Sequence, residues 1–476
     1  MAISCKTKQV RVDIFFYFDK VLEMKNLTKP IMSKFLVEGG HKLSGEITVS
    51  GSKNASLPIL CASLISNEVS VFTNIPDIDD IRSLLSIFEH LGVKTNFENN
   101  TVTIDPRNIK NNGFPDEIVK KMRSSILLIG ALVNRFNEIL MPFPGGCVLG
   151  KRSVSTHVSG FLELGVKVID DNENIHLVID KLVGKKVILE EQSVTATENM
   201  IMASVLAKGE TEIRMCATEP HVQDLCLCLN SMGAKIEGIG SSNLKITGVE
   251  SLSGANYEIQ GDYLEAGTIA SATVATKGDV VIKGINTDYL DSFWQKLREI
   301  GVDFELKPFE VHIKPWEKLY ATPKLRTAVY PSFATDLQAP FTVLLTQAEG
   351  ISKVFETLFE GRLNYLFELE QMGAKIEYLN PHQALIIGPS KLKGRPISSY
   401  DIRAGAAMVI ASLMAEGTTE ISNIKYIDRG YEDLEKKLNS LGAKIKRIDI
   451  FNNEELVRDN SSISKKEIPL ETTKLV

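Results

Sequence analysis

HLGVKTNFENNTVTI, residues 90–104, places a glycine between two different hydrophobic periods. Before Gly92, DIRSLLSIFEHL spaces its apolar residues as a helix does. After it, two short segments alternate apolar and polar residues around a turn, as strands of a hairpin do. The glycine stands where a helix C-cap needs a left-handed residue.

The same passage recurs along the chain. ELGVKVIDDNENIHLVI (163–179), SMGAKIEGIGSSNLKITGV (231–249), EIGVDFELKPFEVHI (299–313), QMGAKIEYLNPHQALII (371–387) and SLGAKIKRIDI (440–450) repeat it. Their glycines are Gly165, Gly233, Gly301, Gly373 and Gly442, so the spacing is 68 to 73 residues. Between the copies a second passage recurs, a helix end, a turn and a strand: LISNEVSVFTNI, LVNRFNEILMPF, VLAKGETEIRMC, TVATKGDVVIKGI, LLTQAEGISKVFE and LMAEGTTEISNI. Each unit is therefore about two helices and four strands, present six times. Solenoids repeat at about 20–50 residues. A period this long suits a small α/β subdomain, and six of them divide into two groups of three.

Bulk properties agree. A chain of 476 residues is too long for one core. Its 43% hydrophobic and 24% charged residues are those of a globular protein. A net charge of −6 argues against a nucleic-acid partner but leaves room for a local basic pocket. No apolar run reaches the roughly 20 residues of a membrane helix, so no membrane partner is expected. Residues 1–31 lack the repeat and read as an extension outside the fold. Residues 450–476, polar and aperiodic, read as a flexible tail. Six cysteines without regular spacing, with no signal peptide, point to a reducing cytoplasm. Cys226 and Cys228 read as buried thiols, since no second pair completes a zinc site; no metal or cofactor is expected.

PFPGGCVLGKRS (142–153) is the passage with the clearest chemistry. A reactive thiol is a thiolate, which cations stabilise. Lys151 and Arg152 supply them beside Cys147, and Gly145-Gly146 lets backbone approach a ligand.

Together with SGSKNASLPIL (50–60), KKMRSS (120–125), TATEN (195–199), FATDLQA (333–339), FEGRL (359–363), DIRAGAA (401–407) and IDRGYE (427–432), this loop resembles the enolpyruvyl transferases. The branch is the one whose acceptor is UDP-N-acetylglucosamine. The resemblance spans about 34–449. It implies a two-lobed, inside-out α/β barrel of six βαβαββ-type repeats, with helices inside and sheets outside. One lobe would comprise 53–261 and the other 34–52 with 262–449, crossing at Ser50-Gly51-Ser52 and Gln260-Gly261-Asp262. The implied reaction moves the enolpyruvyl group of phosphoenolpyruvate to a sugar 3′-hydroxyl with loss of phosphate. It is the first committed step of bacterial peptidoglycan synthesis.

Such a substrate is densely anionic, so the site must collect cations and hold an acid and a base apart. The resemblance assigns catalysis to Cys147, Asp336, Lys53 and Arg429. Cys147 would deliver a proton to C3 and be the attachment point of fosfomycin, on a loop whose glycines give hinge freedom. Asp336 would accept the hydroxyl proton. Substrate contacts would come from Lys53, Asn54, Arg123, Arg152, Ser153, Val154, Ser155, Thr156, Asp336, Leu358, Arg362, Asp401, Arg403 and Arg429, with Glu219 and Asp262 supporting. From the residues alone, Asp336 and Asp401 also read as helix N-caps. Ser153, Ser155 and Glu191 depart from the family at the uracil end, as do Thr218 and Tyr263 near the hinge. Two alternatives stay open: another nucleotide sugar as acceptor, or a non-catalytic paralogue that binds it.

Overall fold

The computed structural model describes residues 32–145, 154–451, 454–459 and 462–466. The expectations for residues 1–31 and for Cys147, Lys151, Arg152 and Ser153 lie outside the described residues. Within them the strands form six sheets. In the first, Asn256–Glu258 runs parallel to Ser70–Thr73, which pairs antiparallel with Thr101–Asp105, itself paired with Lys94–Glu98. The same order, one parallel neighbour and then two antiparallel steps, recurs around Asp279–Lys283, Gly350–Phe355, Glu210–Arg214 and Thr418–Ser422. The sheet around Glu138–Pro142 has three strands. The six repeat glycines adopt φ between +85° and +109°, the left-handed conformation that the helix-to-strand corner requires.

The sixth unit is closed by the first described strand. Met32–Glu38 lies between Thr418–Ser422 and Lys444–Phe451 in one sheet. This explains why SLGAKIKRIDI carries one strand where other copies carry two. The expected loose tail is also different in the structure. Glu454–Asp459 pairs with Lys444–Phe451, and Ser462–Lys466 pairs with Glu454–Asp459. Backbone groups on an open sheet edge recruit strands without help from side-chain alternation, so periodicity missed them.

The apolar side chains make two cores. One draws on residues 55–259 and the other on 35–49 and 263–445. At the heart of each lie helices buried on almost every side. Lys53–Ala62, Leu127–Leu132 and Val194–Ser204 serve the first, and Tyr263–Ala275, Thr335–Leu345 and Ile402–Met414 the second. Apolar and small residues occur around their whole circumference, which suits a helix with neighbours on all faces. The three helices of the second core pack against one another. By contrast, Asp79–His90 and Asp291–Glu299 bury one stripe only.

The chain crosses between cores twice. Gly51 and Gly261 are bridged, with Ser52 N–H donating to Gln260 O and Asp262 N–H to Ser50 O, both at 2.8 Å. A Cβ on Gly51 would lie 1.7 Å from Asn74 O, and one on Gly261 1.8 Å from Gly284 O. These glycines are dictated by close backbone approach. Among the described residues no helix is long and apolar enough to cross a membrane.

Candidate active site

The buried helices present their N-terminal ends to the seam between the cores. Lys53 is the first residue of Lys53–Ala62, capped by Ser52. Asp262 caps Tyr263–Ala275 through Leu264 N–H and Glu265 N–H. Asp336 lies in the first turn of Thr335–Leu345, and Arg403 in that of Ile402–Met414. Unpaired N–H groups and the helix dipole make such ends favourable to anions.

Two carboxylates organise the cations. Asp80, 5% exposed, receives Lys53 Nζ at 2.8 Å on one oxygen and Arg429 Nε at 2.8 Å on the other. Lys53 and Asp80 belong to one core and Arg429 to the other side of the seam, so this carboxylate ties the halves together. Burial pushes the Asp80 carboxyl up. Lys53 and Arg429 outweigh that and hold it below its ordinary value. Asp336 is the second organiser. Arg362 Nη2 donates to one of its oxygens, and Arg403 Nε donates to the other at 3.0 Å. Both guanidiniums are about 4% exposed. Arg403 stacks over the Tyr431 ring at 5.1 Å, and its Nη1 has no hydrogen-bond partner among the described residues. A buried guanidinium with a spare donor is suited to an incoming anion.

The remaining expected residues distribute as follows. Asp401 is an N-cap, accepting from Arg403 N–H at 2.8 Å and Ala404 N–H at 2.9 Å, so it fixes the turn that carries Arg403. Asp336 is not the cap of its helix; Ala334 occupies that position with no side-chain bond, which leaves the Asp336 oxygens to the arginines. Asn54 is half-buried beside Lys53. Arg123 opens a short 3₁₀ turn, Arg123–Ile126, and its charge reaches His157. Val154 precedes the helix Ser155–Glu163, whose Thr156 is buried. Leu358 is partly exposed, its N–H held by Glu356 at 2.8 Å. Gly145 differs from expectation: its Cβ would lie 1.6 Å from Lys120 O, so close packing on backbone, not hinge freedom, requires glycine there. Thr218 donates to Tyr330 O at 3.2 Å. The Tyr263 ring stacks with His221, centroids 6.3 Å apart.

Sequence reasoning missed three groups. Asp80 sits in IPDIDDIRSLL, where an acid at a helix start reads as an ordinary dipole partner. His221, buried against the Tyr263 ring, is within reach of the charges of Asp336 and Arg403. Glu198, from TATEN, is 2% exposed, and burial and then Glu219 push its carboxyl well up. Glu219 is itself raised by burial.

A sixfold α/β repeat with a cation-lined seam defines a class, and the comparisons name it. The chain matches the family described as EPSP synthase (3-phosphoshikimate 1-carboxyvinyltransferase) over residues 37–438, and it belongs to this family of enolpyruvyl (carboxyvinyl) transferases. It is similar to the UDP-N-acetylglucosamine 1-carboxyvinyltransferase of Borreliella burgdorferi, 42% identical over 88% of this chain and 99% of the relative. A relative from Caldanaerobacter subterraneus, UDP-N-acetylglucosamine 1-carboxyvinyltransferase 3, is 43% identical over 88% of this chain and all of its own. Among solved structures, the enolpyruvyl transferase NikO from Streptomyces tendae shares the fold. Its TM-score is 0.79 at 24% identity, covering 87% of this chain and 99% of that one.

Burial pushes the His221 imidazole down to about 4, with Arg403 adding to the fall and Asp336 opposing it. Burial and then Arg123 take His157 down to about 3. An unfolded histidine titrates near 6.5. Below that value the unfolded chain binds protons that the folded chain refuses. Each imidazole therefore contributes stability that is present above about 6.5 and lost as pH falls toward 4. In proton NMR of the folded protein, two of the seven histidines should remain neutral at pH 5. Protonation of all seven by that pH would refute the burial argument.

Proposed function

We propose that the chain transfers the enolpyruvyl group of phosphoenolpyruvate to the 3′-hydroxyl of UDP-N-acetylglucosamine and releases phosphate. This would be the first committed step of peptidoglycan synthesis, in the bacterial cytoplasm, and so upstream of cell shape and division. The observation that carries the reading is the match to relatives of that name along 99% and 100% of their length. The cleft supplies compatible chemistry.

Lys53, Arg403 and Arg429, with Arg152, would take the phosphate and carboxylate of phosphoenolpyruvate, and Arg123 the nucleotide phosphates. Cys147 would give its proton to C3 while the sugar hydroxyl attacks C2 and passes its proton to Asp336. C3 then returns a proton, phosphate leaves from C2, and the enolpyruvyl ether remains. Asp336 has both oxygens engaged by arginines. It becomes a base when the anionic substrate draws one guanidinium away, which ties proton acceptance to substrate binding. The departures at Ser153, Ser155 and Glu191 favour a second reading in which the acceptor is a different nucleotide sugar.

The test is phosphate release from phosphoenolpyruvate with and without UDP-N-acetylglucosamine. Release should require the sugar. Asp336→Asn should lower turnover by about 10²–10⁴ with the fold retained. Turnover within a few-fold of wild type would remove Asp336 from the mechanism, and release only with another nucleotide sugar would favour the second reading.

Thiol chemistry gives an independent check. Cys61, Cys216, Cys226 and Cys228 are buried, and burial pushes each thiol up, Cys216 to about 12. Such thiols are inert near neutral pH. Fosfomycin should add one mass equivalent to the native protein, at Cys147, faster with UDP-N-acetylglucosamine bound. Addition at one of the four buried cysteines would contradict the assignment.

A further inference from the structure

Glu432 lies three residues after Arg429 in IDRGYE, and the chemistry described above does not use it. Its carboxylate crosses the seam. One oxygen accepts Asp77 N–H at 2.8 Å and the Asn100 side-chain amide at 2.6 Å, both from the lobe whose core spans 55–259. The other accepts the hydroxyl of Ser50, on the first crossing strand. That hydroxyl in turn accepts from Lys437 Nζ at 2.7 Å. Lys437 is paired with buried Glu265, whose second oxygen takes Ser50 N–H at 2.9 Å.

The donors are fixed by their own lobe. Asn100 stands at the hairpin turn with φ +55°, and its amide also donates to Ile75 O at 2.8 Å. Asp77 directly precedes the cap of the Asp79–His90 helix that carries Asp80. Two short segments thus face each other with alternating polarity. Asp80 accepts from Arg429, and Glu432 accepts from the Asp77 backbone. One contact would leave the lobes free to rotate about it; two, three residues apart on each strand of chain, set an orientation. Lobes joined by two crossing strands are otherwise expected to move relative to each other.

We propose that Glu432 is a positioning residue that latches the two lobes and thereby sets how Arg429 enters the cleft. This rests on the reading of Arg429 as a ligand of phosphoenolpyruvate. The latch acts at a distance from the reacting atoms, so its loss should appear in substrate affinity and in lobe arrangement.

The experiment combines steady-state kinetics with small-angle X-ray scattering of the protein alone, on Glu432→Ala, Glu432→Gln, Asn100→Ala and the Asn100→Ala/Glu432→Ala double variant. Glu432→Ala should raise KM for phosphoenolpyruvate about tenfold, the loss of one to two charge-assisted hydrogen bonds, with a smaller change in kcat. It should also enlarge the radius of gyration. Glu432→Gln should stay close to wild type in both, because its amide oxygen still accepts Asp77 N–H and Asn100. The double variant should be no worse than Glu432→Ala. Wild-type KM and scattering in Glu432→Ala, a glutamine variant as impaired as alanine, or additive single effects would each overturn the latch. Scattering needs no turnover. A wild-type protein that releases no phosphate would therefore count against the proposed reaction, while the scattering still decides the latch.

Discussion

A cleft that binds a substrate with several negative charges must be built from cations, and cations repel one another in a low-dielectric seam. Lys53, Arg362, Arg403 and Arg429 can be held there because two carboxylates, Asp80 and Asp336, each take two of them. Unpaired, any of these groups would cost several kcal/mol to bury. Paired, they are already in place, and on the proposed reading an arriving anion would exchange partners instead of assembling a site. The Arg403 Nη1 group, buried and spare, shows where such an exchange can begin.

The repeat explains how the charges meet. Each unit contributes a helix apolar enough to be buried on all sides, and burial of the shaft leaves the N-terminus as its polar end. Three such helices packed together in one core bring Asp262, Asp336 and Arg403 into one neighbourhood, although they lie far apart in the chain. The other core brings Lys53 at the start of its buried helix, and Asp80 from the one-sided helix Asp79–His90. Met32–Glu38 closes the sixth unit within its own core, and the Gly51–Gly261 bridge joins that core to the other.

Much of this was legible in the sequence, for a physical reason. The left-handed corner after each helix admits glycine far more readily than other residues, so six glycines at a steady spacing report six copies of one fold. Lys53, Asp336, Arg362, Arg403 and Arg429 were legible because short motifs carry them. What could not be read depends on contacts between distant segments. Asp80 has the local appearance of a helix-start acid, and Glu432 that of a solvated glutamate in a turn. Asp336 and Asp401 look alike locally, yet one serves arginines and the other caps a helix. The strands at 454–459 and 462–466 follow from an open sheet edge, which no side-chain period announces.

The central claim is that Asp80 preassembles Lys53 and Arg429 for an anionic substrate. The alternative is that Asp80 competes with that substrate for the same cations. The variant Asp80→Asn separates the two, read as kcat/KM for phosphoenolpyruvate. Preassembly predicts a fall of about tenfold or more, equivalent to about 1.4 kcal/mol, although Asp80 touches no reacting atom. An unchanged or higher value would contradict it.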